Sequence, residues 1–140
     1  MLSTSTSQRA YFDNAAGRVA EHPGGFAVVK WKPGSRQLAD FQAVLTHLDQ
    51  LLRLRTWSKL LADQRDMAPF TADETAWVTD VWLPKAVGEG PYRYAAILLP
   101  TDVFARLASK SVLSTSHSQF VAYQFCDDEA TAAAWLKQQA

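Results

Sequence analysis

The sequence predicts one α/β domain: a mixed, mostly parallel sheet with an N-terminal antiparallel meander and about four helices packed on it. Strand-like and helix-like segments alternate from Phe26 onward, which favours parallel strands joined by right-handed crossovers. The run Ala95-Ala96-Ile97-Leu98-Leu99 lacks polar alternation, the mark of a central strand covered on both faces. A chain of 140 residues, 48% hydrophobic and 20% charged, has the size and composition of one domain that buries its core without disulfides or metals.

Residues 1 to 9 are mostly Ser and Thr without apolar periodicity and read as a disordered leader, so the domain is expected over residues 10–140. Tyr11 to Asn14 form a short strand entering a turn at Ala15-Ala16-Gly17, and Arg18 to Glu21 return from it. His22-Pro23-Gly24-Gly25 is a second turn, since proline presets φ and glycine supplies positive φ. Phe26 to Trp31 is strongly β-prone. Lys32-Pro33-Gly34 breaks that strand, and Ser35 is positioned as an N-cap. Leu38, Phe41, Leu45, Leu48 and Leu52 then recur at steps of three and four, giving a helix that ends near Leu54.

Trp57 to Leu61 is the next strand, closed by the polar stretch Asp63-Gln64-Arg65-Asp66. Thr71 with Glu74 three positions on is a capping box, so a helix starts there and runs through Trp77, Val78 and Val81 until Pro84 kinks or ends it. Tyr94 to Leu99 is the central strand. Pro100-Thr101-Asp102 opens a helix through Phe104 and Leu107, and Ser111 to Ser118 reads as a loop. Val121, Tyr123 and Phe125 alternate with polar or small residues in a last strand, and Asp127-Asp128-Glu129 supplies carboxylates to the start of a closing helix.

Fourteen basic residues balance fourteen acidic ones. Zero net charge gives no bulk field toward nucleic acid or anionic membrane, so neither nucleic-acid binding nor membrane insertion is expected. No secretory signal is read at the start, and no apolar run approaches the ~18–20 residues of a membrane span. One cysteine, Cys126, permits no internal disulfide and no CxxC chemistry, and a reducing cytoplasm is the expected location.

The three histidines, His22, His47 and His117, fall in a turn, a helix and a loop without ligand spacing, so no metal and no cofactor is expected. Serines 111 to 118 lack a GxSxG elbow, which leaves an unrecognised enzyme as a third-ranked reading. Lys30, Lys32 and Arg36 near Trp31, and Arg53, Arg55 and Lys59 near Trp57, make a basic-aromatic pattern only if the fold brings them together. Trp77 and Trp82, five apart, point about 140° from each other on a regular helix. One flat core face cannot take both, so either the helix is sandwiched, with Pro84 changing its direction, or one tryptophan lines a pocket or a subunit contact. Core packing is the commoner role, and a homodimer through this helix or the meander is a secondary expectation.

The order of elements, together with Leu60-Leu61-Ala62-Asp63-Gln64-Arg65-Asp66, Trp82-Leu83-Pro84, Thr101-Asp102-Val103-Phe104 and Asp128-Glu129-Ala130, resembles the STAS-like proteins of the SpoIIAA-like fold. That group includes the anti-sigma-factor antagonists, and the likeness is to its uncharacterised small bacterial branch. The resemblance implies a non-enzymatic regulatory or binding module of unknown target. Asp63 matches the family's Asp-Ser pair, whereas Gln64 stands where the phosphoacceptor serine would be, so control by phosphorylation there is not implied. Ligands of open α/β sheets collect outside the carboxyl ends of the strands. The expected site therefore comprises Asp63, Gln64, Arg65 and Asp66 with Ser35 and Thr101 from neighbouring loops, Arg65 acting as charge anchor and Asp63 accepting hydrogen bonds. The competing reading of these residues is a structural loop in which Asp63 and Arg65 satisfy local backbone and each other. The alternative is a carrier or sensor of a small apolar ligand such as a lipid, with Trp77, Trp82 and Phe104 lining a cavity.

Overall fold

The structure, a computed structural model, describes residues 8–114 and 120–139. Most of the expected leader, His117 and the second half of the Ser111–Ser118 segment lie outside the described residues. One six-stranded sheet runs in sequence order, β1 (Arg9–Asp13), β2 (Gly17–His22), β3 (Phe26–Trp31), β4 (Lys59–Asp63), β5 (Tyr94–Leu98) and β6 (Ala122–Cys126). The first three strands pair antiparallel and the last four parallel. Between and after them come α1 (Leu38–Arg55), α2 (Ala72–Trp77) continuing through a π-helical turn (Val78–Trp82) into α3 (Leu83–Gly88), α4 (Val103–Ser114) and α5 (Glu129–Lys137).

A sheet that grows in one direction through connections of one hand puts every crossover helix on the same face. The main core shows this arrangement: Phe41, Leu45 and Leu48 of α1, Trp82 and Leu83 of the second helical body, and Leu113 of α4 meet Val29, Leu60 and Ile97 of the sheet. Helix α5 follows the last strand, is no crossover, and packs Ala132 and Leu136 on the opposite face against Leu61, Ala96 and Leu98. Successive strand residues alternate between the two cores, which is why β5 is buried on both sides.

Helix α1 begins after Gln37, whose side chain makes no capping bond, so Ser35 is not its cap. The entry is fixed instead by Arg36, which is tied to α2, and by the Asn14 side-chain amide, which donates to the Asp40 carbonyl at 3.0 Å. Its exit bonds Trp57 N–H to the Leu52 carbonyl at 2.9 Å and Thr56 N–H to that of Arg53 at 3.3 Å, with Thr56 at φ 57°. This left-handed stop carries the chain past Trp57 and Ser58, so β4 starts at Lys59, two residues later than the pattern predicts. At the other end of the chain, Ser111 to Ser114 are helical and not loop. Asp102 accepts from Ala105 N–H at 2.9 Å, and Ala105, Ser109 and Leu113, four apart, hold the buried side of α4.

The capping box is present as predicted: Thr71 accepts from Glu74 N–H at 3.1 Å, and Glu74 accepts from Thr71 N–H at 2.9 Å. The helix it starts neither ends nor breaks at Pro84. Leu83 N–H bonds the Val78 carbonyl, an i→i+5 step, and this widened turn lets the proline ring enter without meeting an i−4 bond. It also overturns the expected divergence of the tryptophans, because residues five apart come to one side of a π turn. Trp77 meets Phe41 edge-to-face at 6.3 Å, and Trp82 Nε1–H donates to the Leu45 carbonyl at 2.7 Å, one turn further along α1.

Candidate functional site

Leu61 belongs to the α5 core, so Asp63, two residues on, faces the same side of the sheet. It is the last paired residue of β4, flanked by Lys30 of β3 and Leu98 of β5. Gln64 N–H bonds the Leu98 carbonyl at 2.9 Å and Met67 N–H returns to the Gln64 carbonyl at 3.1 Å, closing a turn that presents Arg65 and Asp66. Arg65 folds back: Nε reaches Asp63 Oδ1 at 3.0 Å, a terminal nitrogen reaches Oδ2 at 2.8 Å, and Arg65 N–H reaches Oδ1 at 3.1 Å. The same terminal nitrogen extends to Glu129 Oε1 at 3.1 Å, linking the strand end to the first residue of α5.

The two charges differ in setting. The Asp63 side chain is 5% exposed and that of Arg65 36%. Burial by itself would raise the Asp63 pKa, but the Arg65 hydrogen bonds and charge outweigh it and hold the carboxyl below its ordinary value. The hydrogen bond to Asp63 keeps the guanidinium charged at every accessible pH.

Of the other expected site residues, Asp66, Ser35 and Thr101 are exposed. The parallel strand order puts their loops on the same edge as Asp63. Gln64 points the other way. It is buried, lines a cavity of about 60 Å³ in the main core, and leaves Oε1 without a partner among the described residues. Trp82 lines that cavity too, far from the Asp63 side, while Trp77 lies half-buried on Phe41. Two phenols, Tyr92 and Tyr123, share a hydrogen bond in the same core, and burial raises the pKa of both. Phe104 is not a lining residue: it is 79% exposed on the outer side of α4. At ~30 Å³ per water the cavity holds about two waters, against the ~300–1,000 Å³ of ordinary ligand pockets.

The basic-aromatic pattern does not converge. Lys32 pairs with Asp13, Arg36 with Glu74, Arg53 with Asp49 and Arg55 with Glu21, while Lys59 donates to the Gln139 carbonyl. His47 Nδ1 lies 2.8 Å from the Ala43 carbonyl and its ring stacks on Phe12. His22 accepts at Nδ1 from Gly24 N–H at 2.9 Å. Among the described residues no group of His, Cys, Asp or Glu is placed to hold a metal. Cys126 is buried, and burial with the Asp128 and Asp127 charges raises its thiol pKa.

Sequence reasoning missed three residues beside the site. Arg18, Lys30 and Glu129 join Asp63 around an open cleft of about 210 Å³ on the α5 side, floored by Ala20 and Val28. A signal for two of them was there: a tight turn pairing His22 with Phe26 puts Arg18 opposite Lys30 by counting back along both strands. Glu129 required the packing of α5. No helix among the described residues is long and apolar enough to cross a membrane. Comparison with family models, curated proteins and solved structures found no match to this chain.

Proposed function

We propose that this chain is a non-enzymatic, STAS-like regulatory or binding module of the bacterial cytoplasm, which engages its target at the strand-end edge around Asp63 to Asp66. The observation that carries the reading is the Arg65 guanidinium, one-third exposed and oriented by Asp63 and Glu129, two residues that themselves line a cleft. An arginine held this way is preorganised to receive an anionic or carbonyl group without losing side-chain entropy on binding. The run of crossover helices along one face agrees with the resemblance to STAS-like proteins. Gln64 in place of serine argues for a module that is not switched by phosphorylation at that position.

The carrier alternative has less behind it, because the core cavity is small and Phe104 faces outward. A homodimer remains part of the proposal, to be checked by sedimentation at high concentration. The main test is native mass spectrometry of the protein isolated from its own source, as wild type and as Arg65→Gln. A non-covalently held polypeptide or small molecule present in the wild type and lost in the variant is the expected outcome. Retention of the same added mass by the variant would remove this edge as the binding site.

A further inference from the structure

Arg18 of β2 and Lys30 of β3 are direct cross-strand partners, and both side chains are exposed. Like charges placed opposite each other in a sheet destabilise it, so a neighbouring carboxylate ordinarily intervenes. None does here. Asp13, the partner of Arg18 on its other side, pairs with Lys32, and Asp63, the partner of Lys30 on its other side, is occupied by Arg65. Neither Arg18 nor Lys30 has an ion pair or side-chain hydrogen bond among the described residues. Two cations without a direct ion pair among the described residues thus stand side by side in the 210 Å³ cleft, over a small apolar floor, Lys30 sharing the field of Asp63, whose carboxylate is bonded by Arg65.

We infer that this cleft binds a small organic phosphate monoester, with the phosphate on Arg18 and Lys30. Two adjacent cations match a dianion better than a single carboxylate, and a phosphate monoester carries about −1.5 to −2 charge at pH 7. The guanidinium fork supplies directional bonds and the lysine a point charge. At about 210 Å³ the cleft is smaller than the ~300–1,000 Å³ of ordinary ligand pockets and suits only a phosphate with a short body. Asp63, beside Lys30 on the next strand and already bonded by Arg65, and Glu129 also line the cleft. Their charges disfavour a second anionic group, and so a nucleic-acid strand or an extended anionic surface, and Glu129 can accept hydrogen bonds from hydroxyl or amino groups of the ligand body. The inference rests on reading the Asp63 edge as a binding site and names what that site takes.

The test is titration of the full chain with glycerol 3-phosphate, inorganic phosphate and, at matched ionic strength, glycerol with sodium chloride, followed by backbone amide NMR. Saturable shifts at residues 18, 30, 63 and 129 are expected with the monoester, weaker ones with inorganic phosphate, and none with glycerol and chloride. Arg18→Gln and Lys30→Gln, both exposed positions, should each weaken binding by about tenfold or more while the spectrum stays folded. The thermal midpoint should rise with the monoester in the wild type and not in the double variant. Absence of saturation in the wild type, or equal affinity in the double variant, overturns the inference. So does equal affinity for inorganic phosphate, which would mean that the cleft reads no ligand body. Loss of captured mass in Arg65→Gln without phosphate binding would leave the edge as a site and remove only its ligand class. Phosphate binding with unchanged capture would do the reverse.

Discussion

Two arginine–carboxylate pairs sit at loops following parallel strands, and they differ in what is left over. Arg36 and Glu74 have side chains 4% and 1% exposed. Arg36 bonds both carboxylate oxygens at 2.8 and 2.6 Å and the carbonyls of Ala68 and Pro69, and lies over the Trp31 and Phe41 rings. Glu74 also closes the capping box, so both carboxylate oxygens and four of the five guanidinium N–H groups are spent inside the fold. Arg65 and Asp63 have the same bidentate chemistry, but the guanidinium is 36% exposed, and its partners Asp63 and Glu129 line a cleft. The first pair locks α2 to the entry of α1, and the second offers a charge held in place. The chemistry of a pair therefore does not distinguish structure from function here; the spare valence does.

Breaking the closed pair gives the largest expected effect. Glu74→Ala should destabilise the fold by about 3–5 kcal/mol in urea unfolding, because it strands a buried guanidinium and removes a cap. Arg36→Met combined with Glu74→Leu should recover part of that loss, since no lone charge stays buried. A loss below about 1 kcal/mol for Glu74→Ala would show that the two pairs are equivalent, contrary to the comparison.

The open pair should respond to pH. The Asp63 pKa lies below its unfolded value, so its contribution is present in full above the ordinary carboxylate range and is lost as pH falls through the folded value. Asp63→Asn should lower stability by about 1–3 kcal/mol at neutral pH. The gap between variant and wild type should close on acidification, followed by thermal unfolding across a pH series. His22 has the same sense for a different cause: burial lowers its pKa and Nδ1 accepts a backbone N–H, so its protonation below the ordinary histidine pKa opposes folding. A stability gap at Asp63 that widens in acid would contradict the assigned shift.

Smaller effects sharpen the contrast. Gln64→Leu should raise stability by about 1 kcal/mol, because it removes a buried carbonyl oxygen that has no partner among the described residues. Thr56→Gly should add up to about 1 kcal/mol by relieving a β-branched residue at positive φ, measured by the same denaturation.

Much of the fold was legible in the sequence, and the failures are physical. Strand Phe26–Trp31 and the stripe of α1 follow from local pattern, and the capping box from its spacing. The π turn was not legible, since the pattern shows where Pro84 obstructs a helix but not how the backbone yields. The length of α4 was hidden by Ser111 and Ser114, whose low helix preference is overridden by anchoring through Ala105 and Leu113. At the site, the Asp63–Arg65 pair was visible because its residues are two apart in one turn. Gln64, adjacent to both, faces the opposite core because a strand alternates its side chains. Arg36 with Glu74 was not visible, since 38 residues separate partners that only packing brings together.

The central claim is that the open pair binds and the closed one holds the fold, and side-by-side affinity capture tests it most directly. Wild type, Arg65→Gln and, as a control ion pair away from the edge, Arg53→Gln are used as bait in extract of the source cells, with unfolding midpoints recorded for each. The account predicts that Arg65→Gln loses the captured species while staying folded, with a stability loss no larger than the about 1–3 kcal/mol expected for Asp63→Asn, and that Arg53→Gln retains them. Identical capture by wild type and Arg65→Gln would contradict it.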